Sequence, residues 1–379
     1  MNLLPAQKQP ARKLRVLVVD DSALVRKAIT DALSQDPEID VVGSACDPYV
    51  AREKIVRLDP DVLTLDMEMP RMDGLTFLKI LMAQHPMPVV VVSSLTQAGS
   101  QLALDAMDAG AVDVLAKPGG STSVGSLAEK LAFHVKAAAA STRFRRRRLA
   151  ESTPGATSQE TVRPASRVIV PAPPATVAVR PYHGRVDPRQ LIVIGSSTGG
   201  VEALRTVLPQ FPATMPPIVI VQHISAYFSK VVAERLNTIC ALDVREAEEG
   251  MVLGRGMCVI APGDHHLAVA WQGDAYRTRI LQSPPVHHCR PSVDVLFRSA
   301  AEAAGKQVVA ALLTGMGSDG ALGMQAIRRA GGINIAEDER TCIVYGMPKS
   351  AIELGVVDSV LPLPQIAEGI MEALARRPV

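Results

Sequence analysis

The sequence has no apolar run near the ~18 residues that a membrane-crossing helix needs. Its start, MNLLPAQKQPARK, lacks the hydrophobic stretch of a secretory leader. Both absences predict a cytoplasmic protein that is not embedded in a membrane. Cysteine is scarce and poorly spaced for chemistry: five residues, at 46, 240, 258, 289 and 342, with no CxxC pair. That argues against a disulfide framework or a zinc site and predicts reduced, buried thiols. Net charge is nearly absent, +2 over 379 residues, and points to no particular partner. The balance is uneven, however. Residues 141–190 hold ten Arg, no Lys and three acids, a local +7, so the remainder carries −5.

What is present is ordinary globular material, 47% hydrophobic and 21% charged, enough for a core in each of two or three domains. From residue 14 to 132, short apolar runs alternate with stretches of helical spacing. The runs are 14–19, 40–43, 61–65, 88–92 and 111–115; helical stretches include 23–33 and 75–83. Continuous Val and Leu runs suit strands buried on both faces of a parallel sheet. Five βα repeats predict a compact doubly wound domain. From 133 to 188 the pattern dissolves. The window 141–190 holds seven Pro, which predicts a linker. Within it stands Arg143-Phe144-Arg145-Arg146-Arg147-Arg148. A basic run can bind nucleic acid, but no base-reading motif lies near it, so a solvated tether is preferred. From 189 to 379 the α/β rhythm resumes. Expected strands are 190–196, 217–223, 257–263, 266–271 and 307–315, and expected helices 201–208, 293–304 and 320–330. They predict a second, larger, parallel or mixed doubly wound domain.

In the first block, strand ends carry the chemistry. The first runs into Asp20-Asp21, the third into Asp66, and the fifth leads to Lys117-Pro118. In a doubly wound parallel sheet these positions share one rim. Converging carboxylates repel unless a cation joins them, and a hard divalent ion such as Mg²⁺ suits oxygen ligands. Asp66 would then accept phosphate as an acyl phosphate. Each Asp alone could equally cap the next helix; the joint pattern favours the phosphoacceptor reading.

Over nearly its whole length this block resembles the receiver domain of bacterial two-component response regulators, most closely in DVLTLDMEMPRMDGLTFL (61–78). The resemblance implies phosphorylation of Asp66. It implies Mg²⁺ held by Asp21, Asp66 and the Glu68 backbone carbonyl, with Asp20 acting through water. Ser93 would hydrogen-bond the phosphoryl group and Lys117 would pair with it. Val114 departs from the pattern, because receivers often carry an aromatic switch residue there.

In the last block the strand LIVIG runs into Ser196-Ser197-Thr198-Gly199-Gly200 and then a helical stretch. A strand, tight turn and helix N-terminus form an anion site. It could cradle a dinucleotide phosphate, or present a nucleophilic Ser with backbone N–H groups as oxyanion hole. A dinucleotide fold wants an acid about 20 residues on, but the next strand ends in Gln222-His223. A neutral His can accept a serine proton, and Asp319, after a third strand, could orient it. The order Ser, His, Asp differs from that of α/β-hydrolases, and GSSTG only partly matches their elbow.

This block is similar to the catalytic domain of the chemotaxis protein-glutamate methylesterases. The motifs are IGSSTGG (194–200), VQH (221–223), APGDHHL (261–267), CRPSVDVLF (289–297), LLTGMGSDGALGM (312–324) and AEDERTCIVYGMPKSA (336–351). The resemblance implies Ser197 as nucleophile, His223 as general base and Asp319 as its orienting acid. Thr198, Gly199, Gly200 and Met316 would line the nucleophile loop, with Ser196 not catalytic. It implies hydrolysis of glutamate methyl esters on chemoreceptors and deamidation of receptor glutamines, with no cofactor for ester hydrolysis. It also implies a chemotaxis histidine kinase as phosphodonor, and a receiver that covers the esterase face until phosphorylated. No nucleic-acid partner is expected. The alternative is a response regulator with a DNA-binding or nucleotide-binding output.

Overall fold

The computed structural model describes residues 12–94, 96–117, 124–141, 182 and 187–376. Pro118, the Arg run at 143–148 and most of the expected linker lie outside the described residues.

The first domain is a five-stranded parallel sheet of order β2-β1-β3-β4-β5. Its strands are β1 (Leu14–Val19), β2 (Ile39–Ala45), β3 (Val62–Asp66), β4 (Val89–Ser93) and β5 (Asp113–Ala116). Every residue of β3 and β4 is buried, as expected where helices cover both faces. The helices are α1 (Ala23–Leu33), α2 (Pro48–Leu58), α3 (Gly74–Gln84), α4 (Gln97–Asp108) and α5 (Val124–Ala139). Four begin where a short polar side chain takes orphan N–H groups: Ser22 for α1, Asp47 for α2, Asp73 for α3 and Thr96 for α4. The expected domain end at 132 is too early. Helix α5 runs on to Ala139 because Val135 and Ala138 still pack into the receiver core.

The second domain is a seven-stranded parallel sheet of order β15-β14-β13-β6-β7-β10-β8. Its strands are β6 (Leu191–Ser196), β7 (Ile218–Gln222), β8 (Asp243–Glu246), β10 (Met257–Ile260), β13 (Val308–Leu312), β14 (Ile333–Glu337) and β15 (Ser359–Leu361). Alternate side chains of β6 feed opposite cores, Ile192 and Ile194 on one face, Leu191 and Val193 on the other. Helices α6 (Gly200–Val207), α7 (Ala226–Asn237), α8 (Val293–Ala304), α9 (Ala321–Arg329), α10 (Met347–Glu353) and α11 (Ile366–Ala375) complete the layers. One expectation needs correction. The strand at 266–271 does not join the main sheet. It is β11 (His266–Gln272), antiparallel to β12 (Ala275–Leu281), which pairs with β9 (Val252–Leu253) in a separate three-stranded sheet. A two-residue turn, Gly273-Asp274, that opens on Gly273 at φ +65° reverses the chain.

The domains touch. Helix α4 packs on α7, Leu104 joins the core of the second domain, and Phe228 joins that of the first.

Candidate active site

Strands β13, β6 and β7 are neighbours, and their carboxyl ends carry Asp319, Ser197 and His223. The chain leaves β6 towards β7 on one side and later returns to β13 on the other. This is the switch point at which open parallel sheets place their ligands.

The turn after β6 is braced on all sides. The Ser197 N–H donates to the Thr314 carbonyl (2.9 Å), and the Gly200 N–H to the Ser197 carbonyl (2.7 Å). Gln222 Nε2 donates to the Ser197 carbonyl (2.8 Å), and Ser196 Oγ donates to Gln222 Oε1 (2.6 Å), so Ser196 is a brace. Gly199 sits at φ +78°, a conformation that favours glycine. Among the described residues, the N–H groups of Thr198 and Gly199 have no acceptor. They stand at the N-terminus of α6, where donors for an oxyanion are needed. Gly315 presses on the serine from the β13 loop; a Cβ there would lie 2.6 Å from Ser197 Cβ. Met316 follows it, half-buried.

His223 and Asp319 are joined, Nε2 to Oδ2, at 2.8 Å. Asp319 is buried and held on the N-terminus of α8. It accepts from Ser292 Oγ (2.9 Å), the Val293 N–H (2.7 Å) and the Asp294 N–H (3.0 Å). Burial works against its charge, but His223 and these donors keep the carboxyl below its ordinary range. Burial also opposes the imidazolium. Cys289 and Asp319 outweigh it and push His223 up to about 10. Cys289 Sγ faces His223 Nδ1 at 3.5 Å, while the buried Ser197 Oγ has no hydrogen-bond partner. The three residues share one rim, but His223 is not yet bonded to the serine.

The receiver reaches into this site. Asp113, the first residue of β5, accepts from Thr198 Oγ1 at 2.9 Å and faces His134 Nδ1 at 2.7 Å. Arg235 pairs with Asp105 at 2.8 Å and with Asp108, and Arg205 also pairs with Asp108. A narrow cleft over His223 is lined by Leu104, Met107, Val114, Val201, Ile224 and Phe228.

On the receiver's own rim, ligand atoms of Asp20, Asp21 and Asp66 lie within 4.8 Å of one another. Lys117 Nζ donates to Asp66 (2.7 Å) and pairs with Asp20 (3.3 Å). The Glu68 N–H donates to Asp66 Oδ1 (3.1 Å). Burial, with repulsion from Asp20, pushes Asp66 up to about 6 despite Lys117. Crowded hard oxygen donors, with Asp20 and Asp66 both raised by burial, fit a divalent cation such as Mg²⁺. Ser93 is near but turned away; its hydroxyl donates to the Gly99 carbonyl (2.9 Å).

Sequence reasoning missed several members of the site. Cys289 and Ser292 lie in a quoted motif, but neither had a role. Glu337, buried, accepts from the Thr314 N–H at 2.8 Å and so steadies the loop under Ser197. Asp113 gave no signal, since it reads as a strand-end acid in another domain.

The class is thus a receiver domain joined to a parallel α/β hydrolytic domain. Family profiles agree: the response regulator receiver domain matches residues 16–128 and the CheB methylesterase domain residues 192–370. A protein-glutamate methylesterase/protein-glutamine glutaminase from Syntrophus aciditrophicus is 47% identical over 95% of this chain and 98% of its own. One from Syntrophotalea carbinolica is 47% identical over 97% of this chain and 99% of its own. The CheB catalytic-domain structure from Thermotoga maritima is 43% identical, covers 48% of this chain and 97% of its own, and has a TM-score of 0.48. The chain belongs to the protein-glutamate methylesterase family. DNA-binding and nucleotide-binding outputs are not favoured.

Proposed function

We propose that this chain hydrolyses γ-methyl esters of glutamate on chemoreceptors, deamidates receptor glutamines, and is controlled by phosphorylation of Asp66 by a chemotaxis histidine kinase. The observation that carries the hydrolytic reading is the convergence of Ser197 and the His223–Asp319 pair at the sheet's switch point. Ser197 Oγ attacks the ester carbonyl as its proton passes to His223 Nδ1, the ring nitrogen not engaged by Asp319. The Thr198 and Gly199 N–H groups stabilise the oxyanion. Methanol leaves with the proton from His223, or ammonia leaves from a glutamine. Water then enters, gives its proton to His223, and releases glutamate and free Ser197. Asp319, already satisfied by three other donors, holds the ring and its charge.

Ser197 is uncoupled while the receiver covers the site, so activation requires His223 to exchange Cys289 for Ser197. On the receiver, Asp20, Asp21 and Asp66 would hold Mg²⁺, which when bound neutralises charge during phosphoryl transfer. Lys117 would pair with the phosphoryl group, and Ser93 would have to leave the Gly99 carbonyl to reach it. No described helix is long and apolar enough to cross a membrane. The enzyme would act in the cytoplasm, on receptor segments in the same compartment. The test is methanol release from methylated receptor membranes. Ser197→Ala is expected to abolish it, and retention of most activity would exclude Ser197 as nucleophile.

A further inference from the structure

We infer that the face formed by α6 and α7 is a docking groove for an acidic helix of the substrate, that Arg205 and Arg235 read its carboxylates, and that receiver helix α4 occupies this groove as a mimic. The inference rests on the methylesterase reading above.

The groove currently holds a helix. Leu104 and Met107 of α4 line the cleft over His223, opposite Val201, Ile224 and Phe228. Leu104 is buried in the esterase core cluster. Asp105 and Asp108, three residues apart on one helix face, meet Arg235, and Asp108 also meets Arg205. The occupant therefore shows an apolar edge towards the catalytic histidine and a carboxylate edge towards two guanidinium groups.

Both arginines belong to the machinery's own helices. Helix α6 begins directly after the Ser197–Gly199 turn, and α7 begins three residues after His223. A segment gripped by Arg205 and Arg235 is thus held in register with nucleophile and base. The chemistry of the reaction supplies the matching charge. Each turnover leaves a carboxylate on the substrate, so a segment with several sites becomes acidic. Guanidinium forks suit carboxylates. When α4 departs, Arg205 retains Glu202 of its own helix at 3.2 Å, and the interdomain carboxylates leave both arginines. Receiver and substrate then compete for one surface, and the acids on α4 are a decoy for the acids beside the methyl ester.

The test uses the full chain with saturating acetyl phosphate and Mg²⁺, and follows methanol release from methylated receptor membranes. Arg205→Ala/Arg235→Ala is expected to raise KM about tenfold or more while kcat is retained. Arg205→Lys/Arg235→Lys, which keeps the charge but not the fork, should recover part of the loss, and a melting curve checks folding. Asp105→Asn/Asp108→Asn removes only the decoy. It should raise activity without phosphodonor and leave the activated KM unchanged. If the arginine variants raise basal activity but leave the activated KM at the wild-type value, the arginines only clamp the receiver and the docking groove is refuted. Absence of methanol release from the wild-type chain would instead remove the methylesterase reading itself.

Discussion

Asp113 is the most economical place to test how the receiver restrains the esterase. Its carboxylate accepts from the Thr198 hydroxyl across the domain boundary (2.9 Å), and His134 holds it from within the receiver (2.7 Å). Asp113→Ala deletes the cross-domain bond together with the His134 contact, and leaves the apolar cleft residues and the pairs of Asp105 and Asp108 with Arg205 and Arg235 untouched. A hydrogen bond of this kind contributes about 0.5–1.5 kcal/mol net. A loss near 1 kcal/mol multiplies the open-to-covered ratio by about five. While the covered form dominates, activity follows the open fraction. Methanol release without phosphodonor is therefore expected to rise about fivefold, with the acetyl phosphate-stimulated ceiling unchanged. Asp113→Asn keeps an acceptor and should have a smaller effect. His134→Ala leaves the carboxylate in place but unoriented and should fall between. An unchanged basal rate in Asp113→Ala would refute the restraint. An equal fall in basal and stimulated rates would place Asp113 in the chemistry instead.

Three further outcomes follow from the geometry. Gly315→Ala places a Cβ 2.6 Å from Ser197 Cβ, so kcat should drop by tenfold or more (about 1.4 kcal/mol or more) with the Asp66 site intact; a wild-type kcat would show that the loop yields freely. His223 must be neutral to act as a base; in the covered arrangement Cys289 and Asp319 push it up to about 10, so there the ring is protonated at neutral pH and loses that proton on activation. Cys289→Ala removes one cause of that rise and should move the acid limb of kcat/KM to lower pH; an unmoved limb counts against the contact. Asp66 is raised from 3.8 to about 6, so its ionised form costs stability near neutral pH, and that cost fades as pH falls through 6. Asp66→Asn should therefore raise the melting temperature of the Mg²⁺-free protein at neutral pH more than at acid pH, and abolish stimulation by acetyl phosphate. A uniform shift at all pH values would contradict the assignment of the strain to Asp66.

The sheets were legible where burial was two-sided. The runs LRVLVV, DVLTL and PVVVV read as parallel strands because they are almost continuous in Val and Leu, with Arg15 and Thr64 the polar residues inside them. The segments DVRE at β8 and SVL at β15 did not, because they are short edge strands. The antiparallel β11–β12 pair was half seen, since AYRTRIL alternates polar and apolar in the manner of a one-sided sheet. Ser197, His223 and Asp319 were legible as polar residues at strand ends. The support of Asp319 by Ser292 and two α8 N–H groups was not, because backbone donors carry no letter. Nor were the pairs joining Asp105 and Asp108 to Arg205 and Arg235. Partners so far apart in sequence, on helix faces, look individually like solvated charge.

The interlocked cores carry a thermal consequence. Leu104 is buried in the esterase core, and Phe228 in the receiver core with Ile224 packed beside it. Uncovering the active site wets these side chains, so opening takes place with an increase in heat capacity. The apolar part of the restraint then weakens on cooling, and the balance between covered and open forms curves with temperature. Temperature thereby becomes a second input to an enzyme otherwise read as a phosphorylation switch, acting through the same few apolar side chains.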